Sequence, residues 1–94
     1  MAEPARQPVF IAFQANGDTI PIVDAIEQDN PHAQIDESPG MVKITAPGKL
    51  VVKRETVEEM AGRAFDLQEL QVNLISLSGS LDETEDEFTL EWKL

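Results

Sequence analysis

Apolar and polar positions change period several times along this 94-residue chain, and each change marks an element. Val9–Gln14 is a β-branched and aromatic run, the composition of a buried strand. Asn16-Gly17 turns the chain. A helix is expected over Thr19–Asp29, where Ile22, Val23 and Ile26 recur at helical spacing. Asp18 is its expected N-cap, and Pro21 falls in the first turn, where a missing amide is tolerated. Asn30-Pro31 ends it, because a residue before proline is pushed away from helical dihedrals.

Pro39-Gly40 and Pro47-Gly48 suit the centres of type II turns, in which glycine supplies a positive φ. They bracket a meander of three expected strands, Gln34–Glu37, Met41–Thr45 and Lys49–Arg54, each turning one mainly apolar face inward. Thr56-Val57-Glu58-Glu59 has the form of a capping box for a short helix that Gly62 stops. Asp66-Leu67-Gln68-Glu69 can cap a second brief turn. A strand over Gln71–Ser78 follows, then an acidic loop, then a strand over Glu87–Leu94 with Phe88, Leu90, Trp92 and Leu94 on one face. These elements predict the α+β class: one small domain of mixed or antiparallel strands with two or three short helices in βαββ-type units. Residues 1–8 are expected as a frayed tail before a domain spanning 9–94.

Composition narrows the chemistry. A net charge of −11 disfavours nucleic acid and anionic membranes as partners, since both would repel the chain. With no cysteine, disulfides, iron–sulfur clusters and thiolate-bound zinc are excluded. The longest unbroken apolar run is Val9–Phe13, too short for a signal-peptide core or a membrane span, so the cytoplasm is the expected location.

No catalytic constellation emerges from the motifs. His32 is the sole histidine and has no base or ligand partner nearby in sequence. The segment Asp82–Glu87 brings calcium to mind, but an EF-hand loop starting at Asp82 would need glycine and glutamate where Glu87 and Lys93 stand. A solvated acidic loop guarding a strand edge accounts for it better. Gly79-Ser80-Leu81-Asp82 inverts the order of an acyl-carrier attachment site and lies in a strand-rich region. No serine sits in a nucleophile elbow. Lys43, Lys49, Lys53, Arg54 and Arg63 form either an ordinary charged face or a docking patch.

The strand containing Val72–Ser78 is the more informative candidate. By period two, Val72, Leu74, Ser76 and Ser78 share one face, and Asn73, Ile75 and Leu77 the other. Apolar groups on both faces mean either complete burial between two layers or contact with a partner protein.

Several of these segments are similar to one family. Gly-Arg-Ala-Phe-Asp at Gly62–Asp66, Leu-Gln-Glu-Leu at Leu67–Leu70 and Asn-Leu-Ile-Ser-Leu-Ser-Gly at Asn73–Gly79 carry the likeness, with Asp29-Asn30-Pro31 upstream and Asp82–Phe88 downstream. The chain resembles, from about Val9 to Trp92, the effector (coupling) proteins of bacterial multicomponent monooxygenases, and most the phenol hydroxylase P2-type regulatory components. The resemblance implies a protein without metal, flavin or other cofactor that binds a di-iron hydroxylase and supports turnover with electrons from an NADH-dependent reductase. Phenol hydroxylated to catechol is the implied reaction of the partner. The resemblance also implies contact through Asn73, Ile75, Ser76, Leu77 and Ser78, with the Pro39-Gly40-Met41 turn beside them. Methane-type members have long terminal tails; with about eight residues before the first expected strand here, no such role carries over. The rival classes are an acidic adaptor or inhibitor of another enzyme and a small-molecule carrier.

Overall fold

Two antiparallel sheets divide the strands between them, as a computed structural model describing residues 7–92 shows. The elements in order are β1 (Pro8–Gln14), α1 (Ile20–Asp29), β2 (Gln34–Ser38), β3 (Met41–Pro47), β4 (Lys49–Lys53), α2 (Arg54–Ala61), a 3-10 turn (Leu67–Glu69) running into α3 (Leu70–Asn73), β5 (Leu74–Ser78), β6 (Ser80–Glu83) and β7 (Glu87–Glu91). The first sheet has the order β2-β3-β1-β5, the second β4-β7-β6. This is the expected α+β class. Met1 to Arg6 of the expected tail, and Lys93 and Leu94 of the expected last strand, lie outside the described residues. Pro8 already belongs to β1.

Alternation along β1 and β3 builds the core. The register opposes Val9 to Ala46, Ile11 to Ile44 and Phe13 to Val42, and all six side chains are buried. The second sheet closes over them with the pairs Leu50–Leu90 and Val52–Phe88. Ile22, Ala25 and Ile26 add the buried stripe of α1, which packs on α2 and β4. Each fully buried side chain of this size contributes about 1.5–3 kcal/mol.

Several expectations are corrected. The meander does not form: β2 and β3 make a hairpin, but the turn at Gly48 (φ +76°) sends β4 into the other sheet. Alternation specifies which face is buried, not which strand lies alongside. Thr19, not Asp18, is the N-cap of α1, and its hydroxyl binds the Gln14 and Asn16 carbonyls instead of the helix amides. Thr56 does not cap α2, which starts two residues earlier, straight out of β4, with the Arg54 amide donating to the Asp86 carbonyl. Gly62 does end α2 in the left-handed region (φ +71°).

The last two corrections flank the candidate site. Leu70–Asn73 is helical, so the strand expected over Gln71–Ser78 starts only at Leu74. Asp66 and Glu69 complete a capping box, and the turn they nucleate buries Leu67 and Leu70 three positions apart on one face. Ser80–Glu83, expected as loop, is strand β6. Its hairpin with β7 is closed by Thr84, whose amide donates to the Glu87 carbonyl (2.8 Å) and whose hydroxyl accepts from the Asp86 and Glu87 amides. Strand β7 ends at Glu91, leaving Trp92 beyond it and partly exposed. Among the described residues no helix is long and apolar enough to cross a membrane.

Candidate docking surface

The expected contact residues fall along β1, on its two neighbours. Strand β5 pairs antiparallel with β1, placing Leu77 opposite Ile11 and Ser78 opposite Phe10, and Ser76 opposite Ala12. The register then slips, and Phe13 faces Leu74. This bulge leaves Ile75 as the extra residue, 48% exposed, while Leu74 and Leu77 both lean on the core. The two-faced period read from sequence is therefore broken. Strand β5 is an edge strand with one face half-buried, not a strand enclosed between layers.

Ile75, Ser76 and Ser78 are exposed, as are Pro39 and Gly40 of the β2–β3 turn. Leu77 and Met41 are half-buried, and Asn73 is buried at 8% exposure. A short linker joins the two groups. The Ala15 amide donates to the Gly40 carbonyl (3.1 Å), and the neighbouring Asn16 Nδ2 donates to Asn73 Oδ1 (2.9 Å). Asn16 Oδ1 accepts from the Asp18 amide (2.9 Å), so one side chain holds the β1–α1 turn and the start of β5 together. Ser78 stands away from this end, beside Gly79 and opposite Phe10.

On the outer face of the first sheet the register aligns Phe10 with Thr45, Ala12 with Lys43 and Gln14 with Met41. Lys43 Nζ lies 4.4 Å from the Phe10 ring centroid, within cation–π range. Phe10 and Lys43 are half-buried on this face and Gln14 is exposed. The sequence names Lys43 only as part of a possible basic patch and does not single out Phe10, an aromatic out of phase with the inward Val9 and Ile11. Val72, expected at the start of the candidate strand, lies in α3 and is 74% exposed. A groove of about 430 Å³ opens beside Asn16, between Ile20 and Val23 of α1 and Ser38 and Met41 of the β2–β3 hairpin.

The basic residues do not gather into a patch. Arg54 pairs with Asp86 (2.8 Å) and Arg63 with Glu69 (3.2 Å). Lys49 and Lys53 stand opposite Glu91 and Glu87 on β7, and Lys43 is alone on the other sheet. Exposed pairs of this kind contribute little stability. The Asp66 amide, and after it the Arg63 guanidinium, hold the Glu69 carboxyl below its ordinary pKa. His32 is exposed in the turn after α1. Among the described residues no three histidine or carboxylate groups converge as a metal site would require.

Comparison with known proteins places this architecture. A family model described as MmoB/DmpM family matches residues 7–91. The stimulatory component DmpM of phenol 2-monooxygenase from Pseudomonas sp. (strain CF600) is 51% identical over 85 residues, covering 90% of this chain and 94% of that protein. A chain in a solved phenol hydroxylase–regulatory protein complex superposes with a TM-score of 0.88 at 46% identity, covering 93% of this chain and 100% of its own. The soluble methane monooxygenase regulatory protein B shares the fold, with a TM-score of 0.74 at 20% identity over 100% of this chain and 71% of that one. With residues 7–91 matched by the family model and 90% of its length aligned to a 51% identical member, this chain belongs to the MmoB/DmpM family.

Proposed function

We propose that this chain is the cofactor-free regulatory component of a phenol hydroxylase, a non-catalytic protein that binds the di-iron hydroxylase and tunes its conformation for NADH- and O2-dependent hydroxylation of phenol to catechol. The observation that carries this reading is the end-to-end likeness to a phenol 2-monooxygenase stimulatory component. Cytoplasmic residence belongs to the same reading, because the electrons come from NADH. The effector domain spans 9–94.

The docking surface is the β5 edge with the adjoining sheet face: Asn73, Ile75, Ser76, Leu77 and Ser78, with Pro39, Gly40 and Met41 at the near end. Exposed Ile75 at the bulge is its apolar anchor. Leu77 contributes by holding β5 on the core, since its side chain packs there. An effector reshapes its partner only by binding one conformation more tightly than another. Moving a hydroxylase from mostly inactive to mostly active takes about 5.5 kcal/mol of differential affinity. An ordinary interface with a few buried anchors supplies that much.

The test is titration into purified phenol hydroxylase with reductase, NADH and phenol, reading catechol formed per NADH consumed. A saturable rise in rate and coupling supports the role. No rise at any ratio overturns it and favours an acidic adaptor of some other enzyme. Ile75→Asp should weaken stimulation while leaving the melting temperature unchanged; full stimulation by this variant would remove β5 from the interface.

A further inference from the structure

The chain holds three asparagines, Asn16, Asn30 and Asn73, and the fold sets one of them apart. Asn30 precedes Pro31, whose nitrogen carries no hydrogen. Asn73 is buried at 8% exposure and precedes Leu74. Asn16 and Gly17 are both exposed, in the turn between β1 and α1. Among the described residues the Gly17 amide donates to no acceptor, so its nitrogen is open to act as a nucleophile. Neither backbone nor space demands glycine there: its φ lies outside the positive region, and a Cβ would meet nothing within 4 Å. The missing Cβ leaves the nitrogen unhindered.

The Asn16 side chain is set up as the electrophile. Its Oδ1 accepts from the Asp18 amide (2.9 Å) and from the Thr19 amide (3.3 Å). Two backbone donors on that oxygen draw electrons from Cγ and stabilise the negative charge that builds on Oδ1 under attack, as an oxyanion hole does. Nδ2 is held by Asn73 Oδ1 (2.9 Å), and that bond is lost when the nitrogen leaves.

We propose that Asn16-Gly17 is a self-modifying site, which converts to aspartate and isoaspartate through a cyclic imide and thereby releases Asn73. The Gly17 nitrogen bonds to Asn16 Cγ, the Cγ–Nδ2 bond breaks, and the Gly17 amide proton leaves with Nδ2 as ammonia. Water then opens the imide at either carbonyl. Opening at the side-chain carbonyl yields aspartate, which keeps a bond because the Asn73 amide turns to donate. Opening at the backbone carbonyl yields isoaspartate, which routes the main chain through Cγ and lengthens it by a methylene. Its carboxylate hangs directly from Cα, on a shorter arm, and no longer reaches Asn73, whose buried amide is left unpaired. The consequence for stimulation rests on the functional reading above, in which Asn73 belongs to the docking surface: the isoaspartyl chain docks more weakly.

Incubation of the unaltered folded chain, followed by peptide mapping, tests the chemistry. Amide loss should appear at Asn16 first, as isoaspartate and aspartate resolved by chromatography, while Asn30 and Asn73 stay intact. Gly17→Ala, which the open turn accommodates, should slow the loss about tenfold, because a Cβ hinders the nitrogen. An intact Asn16 while the same segment turns over as a free peptide, or equal rates in Gly17→Ala, would overturn the site. The purified isoaspartyl chain should melt below Asn16→Asp, which stands for the other product; equal melting would overturn the release of Asn73. In the hydroxylase titration the isoaspartyl chain should need about a tenfold higher concentration for half-saturation. Titration like the unaltered chain would overturn the link to docking. If the unaltered chain itself does not stimulate, the functional reading falls and the modification site stands.

Discussion

Asn16 and Asn73, 57 positions apart, are joined by a 2.9 Å side-chain hydrogen bond that ties the β1–α1 turn to the first residue before the bulged edge. The pair offers a double-mutant cycle. In Asn16→Asp the Asn73 amide can turn to donate, and in Asn73→Asp the Asn16 amide still donates, so each single variant keeps one bond. The double variant sets two carboxylates face to face. We expect the singles to lose under about 1 kcal/mol and the double to fall below their sum by roughly 1–2 kcal/mol. Urea unfolding measures the difference, and additive losses would mean that the two side chains do not face each other as the 2.9 Å contact requires.

Asn30 makes a larger contribution. Its amide donates to the Ile26 carbonyl (2.8 Å) and to Val51, and its carbonyl accepts from Val51, so it closes α1 and fills the β4 edge at once. Asn30→Ala leaves the Val51 amide and carbonyl without their partner, while the Ile26 carbonyl keeps the residue-30 backbone amide, and should cost about 2–3 kcal/mol. In a domain of this size that lowers Tm by roughly 10–20 °C. A shift of only a few degrees would show that water replaces the side chain freely.

Gly79→Ala is expected to destabilise through strain. The φ of +132° disfavours any Cβ, and the added methyl meets the Val9 side chain at 2.9 Å. A loss of about 2 kcal/mol is expected, read by thermal melting. Gly40→Ala also has a positive φ (+80°), but a Cβ there has open space, so it should cost less. Equal losses would locate the effect in the backbone alone.

Acid should loosen the Asp66–Glu69 capping box. Folding lowers the Glu69 pKa, through the Asp66 amide first and Arg63 second. Its contribution is therefore complete above the ordinary carboxylate range and lost as pH falls through the lowered folded value. The side chain is 40% exposed, so solvent screens the effect and it is small. Glu69→Gln should flatten the acid limb of the Tm–pH curve and lower Tm slightly at neutral pH. An unchanged acid limb would assign that limb to other carboxylates.

Much of this arrangement was legible along the chain. Val9, Ile11 and Phe13 announced a buried strand, Pro39-Gly40 a tight turn, Gly62 a helix stop and Asp66–Glu69 a cap, each because the cause lies within a few residues. The misreadings have local causes of another kind. Leu67 and Leu70 stand at helical spacing, a pattern obscured by reading Gln71–Asn73 as the start of the strand that begins at Leu74. Acidic side chains made Ser80–Glu83 look like loop, although Leu81 and the Thr84 turn carry a hairpin.

The sequence by itself determined the α+β class, the −11 charge, the lack of thiol chemistry, the burial of β1 and the apolar inward faces of β3 and β4, because charge, composition and alternation are properties of neighbouring residues. Only the tertiary structure decided that β4 leaves the meander for a second sheet, that a bulge turns Ile75 outward while Leu74 and Leu77 both turn in, and that β5 and β6 belong to different sheets. Those outcomes depend on which strand pairs with which, and pairing is settled by backbone hydrogen bonds between segments tens of residues apart, which alternation within a single strand does not encode.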